Sequence, residues 1–207
     1  MKIVNITGKF QSPHIFGKGQ PKDEYTMKIT ELCDKFKQQD NLIDIVKIFN
    51  NDSKLKIQDP STYDMDIYRF LIGTKDHLLD YKKTLSMLNK HKISCCPQLK
   101  QSAQNKNKHY TLLVLKTPEQ EELMKNFTQD SKYVDTLSKC EFVQELENLA
   151  QKENVYNPSI LEDTNNIKIT SARKLFVPDW SNTDKFNSIQ EKAEYFNELR
   201  KVFNLTY

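Results

Sequence analysis

The sequence predicts an α+β protein: a small five-stranded barrel, preceded by an N-terminal arm and helix and followed by C-terminal helices. Three observations carry this. Apolar residues change between helical and alternating spacing more than once over residues 24–116. Helix-start boxes of the Ser/Thr-x-x-Glu/Gln type recur in the second half, at Thr117…Gln120, Ser138…Glu141 and Ser188…Glu191. The four glycines end at Gly73, so residues 74–207 read as regular elements rather than tight turns.

Taken in order, Lys2–Ile6 is a short apolar run, and residues 11–22 gather Pro13, Gly17, Gly19 and Pro21 into an irregular arm. Asp23 caps a helix over 24–38 whose apolar face is Tyr25, Ile29, Leu32 and Phe36. Ile43–Phe49 is β-branched and reads as a strand. Lys54–Gln58 alternates, and Asp66–Ile72 is rich in Ile, Tyr and Phe, so three strands in a meander are expected. Thr74 caps a helix over 75–91 with Leu78, Tyr81, Leu85 and Leu88 on one face. Ile93–Leu99 is a short edge strand containing Pro97, Lys100–Lys108 a polar loop, and Tyr110–Lys116 a strand buried on both faces.

Thr117-Pro118-Glu119-Gln120 opens a helix to about Phe127, and Ser138 opens another to about Asn154. Asn157–Asn166 is a loop and Ile167–Val177 a strand or hairpin. Ser188 starts a last helix with Ile189, Ala193, Phe196, Leu199 and Phe203 on one face.

Strand, strand, strand, helix, strand, loop, strand over residues 43–116 is the element order of the OB-fold. The expected division is therefore 1–40 arm and helix, 41–117 OB-like barrel, and 118–207 a mainly helical region packed on it. Asp44-Ile45-Val46-Lys47-Ile48-Phe49, Lys54-Leu55-Lys56-Ile57-Gln58-Asp59-Pro60-Ser61 and Ile67-Tyr68-Arg69-Phe70-Leu71 resemble the first three strands of telomere end-binding and telomerase-associated OB proteins. The resemblance spans residues 44–71. It implies a telomere-type nucleoprotein setting, in which such folds bind single-stranded DNA or the polymerase. The Asn, Gln and Lys bias suits a ciliate member.

Composition excludes several classes. With so few glycines there is no dinucleotide fingerprint, phosphate loop or nucleophile elbow. No run approaches the ~18 apolar residues of a membrane helix, and no secretory h-region opens the chain. An intracellular, nuclear setting with reduced thiols is expected. The net charge is only +3, carried by 28 lysines and three arginines. That balance suits sequence-tolerant backbone contact and plain solubility alike.

Single-strand binders pair a positive groove with aromatic faces. The candidates are Lys54, Lys56, Tyr63, Tyr68, Arg69, Lys100, Lys106 and Lys108, against the plain alternative of core aromatics and solvated lysines. Trp180, Tyr195, Phe196 and Phe203 are candidates for partner binding, or else core anchors. His91, Cys95 and Cys96, with Cys33 or Cys140, lack the knuckle spacing of a zinc site, so buried thiols are expected and neither metal nor cofactor. No carboxylate pair or His–nucleophile set stands out.

The expected function is a non-enzymatic scaffold or accessory subunit of a nucleoprotein complex. It would dock on protein subunits, with single-stranded DNA or RNA contact through residues 100–108. The alternatives are a stand-alone single-strand binder and a small viral or mobile-element inhibitor acting by protein contact.

Overall fold

The computed structural model describes residues 4–8, 21–51, 66–118, 125–126, 131–170 and 172–205. The chain forms two compact units. Unit 1 comprises residues 1–82 and 98–118, and unit 2 residues 83–97 and 119–207. Of the arm predicted over 11–22, residues 11–20 lie outside the described residues and Pro21 and Lys22 open a helix instead; the strand Lys54–Gln58 and the turn Asp59-Pro60-Ser61 also lie outside.

Unit 1 is α+β, but its sheet is open. Strands β1 (Val4–Gly8), β2 (Asp66–Thr74), β3 (Gln98–Gln104) and β4 (Tyr110–Pro118) run in the order β1-β2-β4-β3, all antiparallel. The edge strands β1 and β3 do not pair with each other, so the five-stranded OB-like barrel is corrected to a four-stranded open sheet. Helices α1 (Pro21–Lys37) and α2 (Leu42–Asn51) supply the apolar layer over one face. Ile29, Leu32, Cys33 and Phe36 of α1 and Ile45 of α2 pack with Phe70 and Ile72 of β2, Ala103 of β3, and Leu112 and Val114 of β4. Each large side chain fully buried in this way contributes about 1.5–3 kcal/mol. The continuous burial of Thr111–Leu115 fits the central position of β4.

The decisive departure is α2, where a strand is expected. The Asn41 side chain accepts from the Asp44 backbone N–H at 2.9 Å and donates to the Asp44 carboxylate at 2.6 Å, closing a cap at the helix start. Leu42, Ile45, Val46 and Phe49 fall at helical spacing, which tertiary burial of Ile45 turns to use against the β-branched composition. The first of the three strands behind the telomere-protein resemblance is thus a helix, and the second lies outside the described residues.

Helix α3 (Lys75–Lys90) follows β2 directly. At Gly73 an added Cβ would meet the Leu78 side chain at 3.1 Å, so glycine permits the close approach of strand end and helix start.

Unit 2 holds α4 (Thr136–Glu153), the four-residue α5 (Ser159–Glu162) and α6 (Ile189–Val202), with two small antiparallel sheets. These are β5 (Lys125–Asn126), β7 (Lys168–Ile169) and β8 (Leu175–Phe176) in one, and β6 (Val155–Tyr156) and β9 (Asp184–Lys185) in the other. One predicted box moves by three residues and one stands where expected. Asp135 caps α4 by accepting from Ser138 N. Ser188 caps α6 by accepting from Glu191 N, while the Glu191 carboxylate takes the Asn187 N–H. Thr117 and Pro118, read as a helix start, end strand β4 instead.

Helices α4 and α6 lie antiparallel, with Phe142 against Phe203, Glu147 bonded to Arg200, and the Ala150 carbonyl accepting from Lys192. No helix of the described residues is long and apolar enough to cross a membrane.

Candidate functional site

The predicted lysine loop is not a loop. Residues 98–104 form edge strand β3, and Lys100 is the extra residue of a bulge, since Leu99 pairs with Leu115 and Gln101 with Val114. Its ammonium donates to Gln98 at 2.8 Å. A charged residue on a bulged edge blocks sheet-to-sheet association.

The remaining residues make a tight hairpin. Asn105 is buried; its side-chain oxygen accepts from Tyr110 N and its amide donates to the carbonyl of Gln39 and to Asn107. Lys108 takes the left-handed conformation at φ 59°. The Lys106 N–H donates to Gln39, Asn107 donates to the Asp40 carbonyl, and the Lys106 ammonium pairs with the Asp40 carboxylate at 3.2 Å. The tip is therefore fastened to the corner between α1 and α2. Lys100 lies about 13 Å from the end of β3 at Gln104, at roughly 3.3 Å per residue, and Lys106 lies beyond that end in the turn.

The other nucleic-acid candidates do not gather round it. Tyr68 packs half-buried against the core of unit 1. Arg69, half-buried, faces the opposite side of β2. Lys54, Lys56 and Tyr63 lie outside the described residues.

The partner-binding candidates are corrected to core. Trp180 is fully buried and donates from its ring N–H to the Val177 carbonyl at 3.1 Å. Tyr195 and Phe196 lie in an aromatic cluster with Tyr156 and Phe186, and the Tyr195 hydroxyl donates to the Asn157 carbonyl. Phe203 is buried against Phe142. None of the four presents a face to a partner.

The groups with chemical potential in unit 2 are engaged or buried. The Glu145 carboxylate accepts from the Ser94 N–H at 2.9 Å, the Ser94 hydroxyl at 2.6 Å and the Cys95 N–H at 3.4 Å. Burial pushes the Cys96 thiol up to about 12 and the Cys95 thiol well above its ordinary range, opposite to what a nucleophile or metal ligand needs. His91 bonds the Glu153 carboxylate, which also takes Lys90 at 3.3 Å. The His91 bond and then the Lys90 bond hold the Glu153 carboxyl below its ordinary range.

Sequence reasoning missed an open groove of about 600 Å³ in unit 2. One wall is the face of α3 bearing Lys83, Thr84, Met87 and Lys90. The other wall is Glu153, Val155 and residues Thr183, Asp184 and Lys185 of the β6–β9 pair, in which Val155 sits opposite Lys185. Val155 is buried and Met87 half-buried, so the floor is apolar, while Lys83, Lys90 and Lys185 stand exposed on both rims. The spacing 83, 84, 87, 90 is a helical stripe opposite the Leu78, Tyr81, Leu85, Leu88 face, and it carried the signal.

No family model matches the chain, and no curated protein matches it. Among solved structures, the Cydia pomonella granulovirus kinase PK-1 is similar to it at a TM-score of 0.41 and 12% identity, over 80% of this chain and 58% of that one. The chain thus spans little more than half the length of that kinase, and at this score and identity the likeness carries no argument.

Proposed function

We propose that the protein is a non-enzymatic docking subunit that binds a protein partner through the groove of unit 2. The observation that carries this is the groove itself: an apolar floor of Met87 and Val155 between rims on which Lys83, Lys90, Lys185 and Asp184 are exposed. It has the size of a recognition site. Support comes from the roles of the reactive groups around it. Glu145 holds the Ser94 backbone, His91 is bonded to the Glu153 carboxylate, and the Cys95 and Cys96 thiols are pushed up by burial. Within these 207 residues there is no His-Arg-Asp, Asp-Phe-Gly or glycine-rich phosphate loop. The four free cysteines suit a reducing intracellular compartment.

Affinity purification of the tagged chain at several salt concentrations tests this reading. One polypeptide recovered at fixed stoichiometry from wild type, and lost from Met87→Asp with an unchanged circular dichroism spectrum, is expected. Recovery that ignores Met87→Asp, or a turnover activity of the purified chain, overturns it.

A further inference from the structure

We infer that the groove accepts a peptide segment carrying an apolar side chain flanked by aspartate or glutamate. This rests on the docking reading above and names the chemistry of the partner. Charge complementarity around an apolar slot favours this occupant. Lys83 and Lys90 come from α3, and Lys185 from β9 across the groove. Among the described residues the anionic lining is Glu153, already bonded to His91 and Lys90, and the exposed Asp184, which accepts from the Lys185 backbone N–H at 2.7 Å, so lysines outnumber carboxylates three to two.

In the Lys90–Glu153 pair the lysine side chain is 72% exposed and the glutamate 28%, so the lysine end of the pair stands in solvent. Such pairs are worth little, so Lys90 exchanges readily onto an incoming carboxylate. Met87 at the floor adapts to apolar side chains of different shape, and the hydroxyls of Thr84 and Thr183 both donate and accept.

The same lining argues against nucleic acid. Among the described residues no aromatic ring lines the groove to offer a base a stacking face, and no arginine lines it for bidentate phosphate contact. An apolar floor also adds nothing to a phosphate backbone, whereas it anchors a leucine or methionine side chain.

The test is selection of a phage-displayed random dodecapeptide library on the immobilised full chain, followed by fluorescence anisotropy of the enriched peptides. Wild type is expected to enrich sequences in which an apolar residue is flanked by Asp or Glu. Binding should weaken about tenfold in Lys83→Glu/Lys185→Glu and with rising salt. Lys185→Ala, a milder change at an exposed position, should weaken it in the same direction while leaving the circular dichroism spectrum unchanged.

Enrichment of basic or neutral sequences, or equal binding by the variants, overturns the acidic partner while the docking reading stands on the purification result. No enrichment at all overturns the peptide assignment. Tighter binding of fluorescein-labelled oligothymidine than of any selected peptide, lost in the same variants, overturns it in favour of nucleic acid.

Discussion

Cysteine shows at the residue scale how burial decides chemistry. Desolvation is the largest effect on Cys33, Cys95 and Cys96, raising Cys33 to about 11 and Cys96 to about 12. Cys140 alone among the four is half-exposed. Titration with a disulfide reagent at neutral pH should therefore report no more than the Cys140 thiol in the native protein and all four thiols in denaturant. Rapid reaction of Cys95 or Cys96 in the native protein would contradict their burial. Glu153 gives a second prediction. Its folded-state pKa lies below the ordinary value of 4.5 because of His91 and Lys90. A depressed carboxyl stabilises the fold fully above its unfolded value, and the contribution is lost as pH falls below about 4.5 through the folded value. Urea midpoints measured from pH 6 down to pH 3 should fall more steeply for wild type than for Glu153→Gln. Parallel curves for the two proteins would remove the coupling.

At the level of elements, caps and clamps explain what was readable. Helices α1, α3, α4 and α6 were legible from their periodic apolar faces, and the Ser188 cap placed the start of α6, whereas Asp23 and Ser138, expected as caps, lie inside α1 and α4; the central strand β4 was legible in its run Leu112–Leu115. Helix α2 was not, because Ile43, Ile45, Val46 and Ile48 carry strand composition, and the Asn41…Asp44 cap that outweighs it involves residues common in turns. The edge strand expected at Ile93–Leu99 lies instead at Gln98–Gln104, because Gln, Lys and Ser on an edge strand have the composition of a loop. Its tip became legible only in three dimensions, since Asn105 is fixed by the carbonyl of Gln39, far away in sequence. Asn41→Ala should cost about 1 kcal/mol. Asn105→Ala should cost about 1–3 kcal/mol, because the Tyr110 N–H and the Gln39 carbonyl lose a buried partner. Urea unfolding followed by far-ultraviolet circular dichroism measures both. If Asn105→Ala costs no more than an exposed substitution, the hairpin is not fastened as described.

For the whole molecule, the sheet shows where local reading ends. Val4–Gly8 is visible in sequence only as an apolar run, yet it pairs with β2 some sixty residues later, Val4 opposite Ile72 and Gly8 opposite Tyr68. Nothing local states which strand an edge will choose, so barrel closure was inferred from element order and the open sheet overturned it. The groove was hidden for the same reason: its α3 wall is a legible helix face, but its opposite wall comes from residues 153–155 and 183–185. Charge follows the same rule. The 28 lysines looked like a loop-borne cluster only where they crowd in sequence. In space Lys100 serves a strand bulge and Lys106 pairs with Asp40, so the predicted loop is not one positive surface. A single-stranded chain bound by several lysines loses affinity with a log–log salt slope of about −0.7 per phosphate neutralised. The triple variant Lys100→Ala/Lys106→Ala/Lys108→Ala should therefore bind an oligothymidine with the same weak affinity as wild type and a slope altered by less than about one contact. An affinity about tenfold lower with a flattened slope would restore the hairpin as a nucleic-acid surface, because only phosphates neutralised together there could remove both affinity and salt dependence at once.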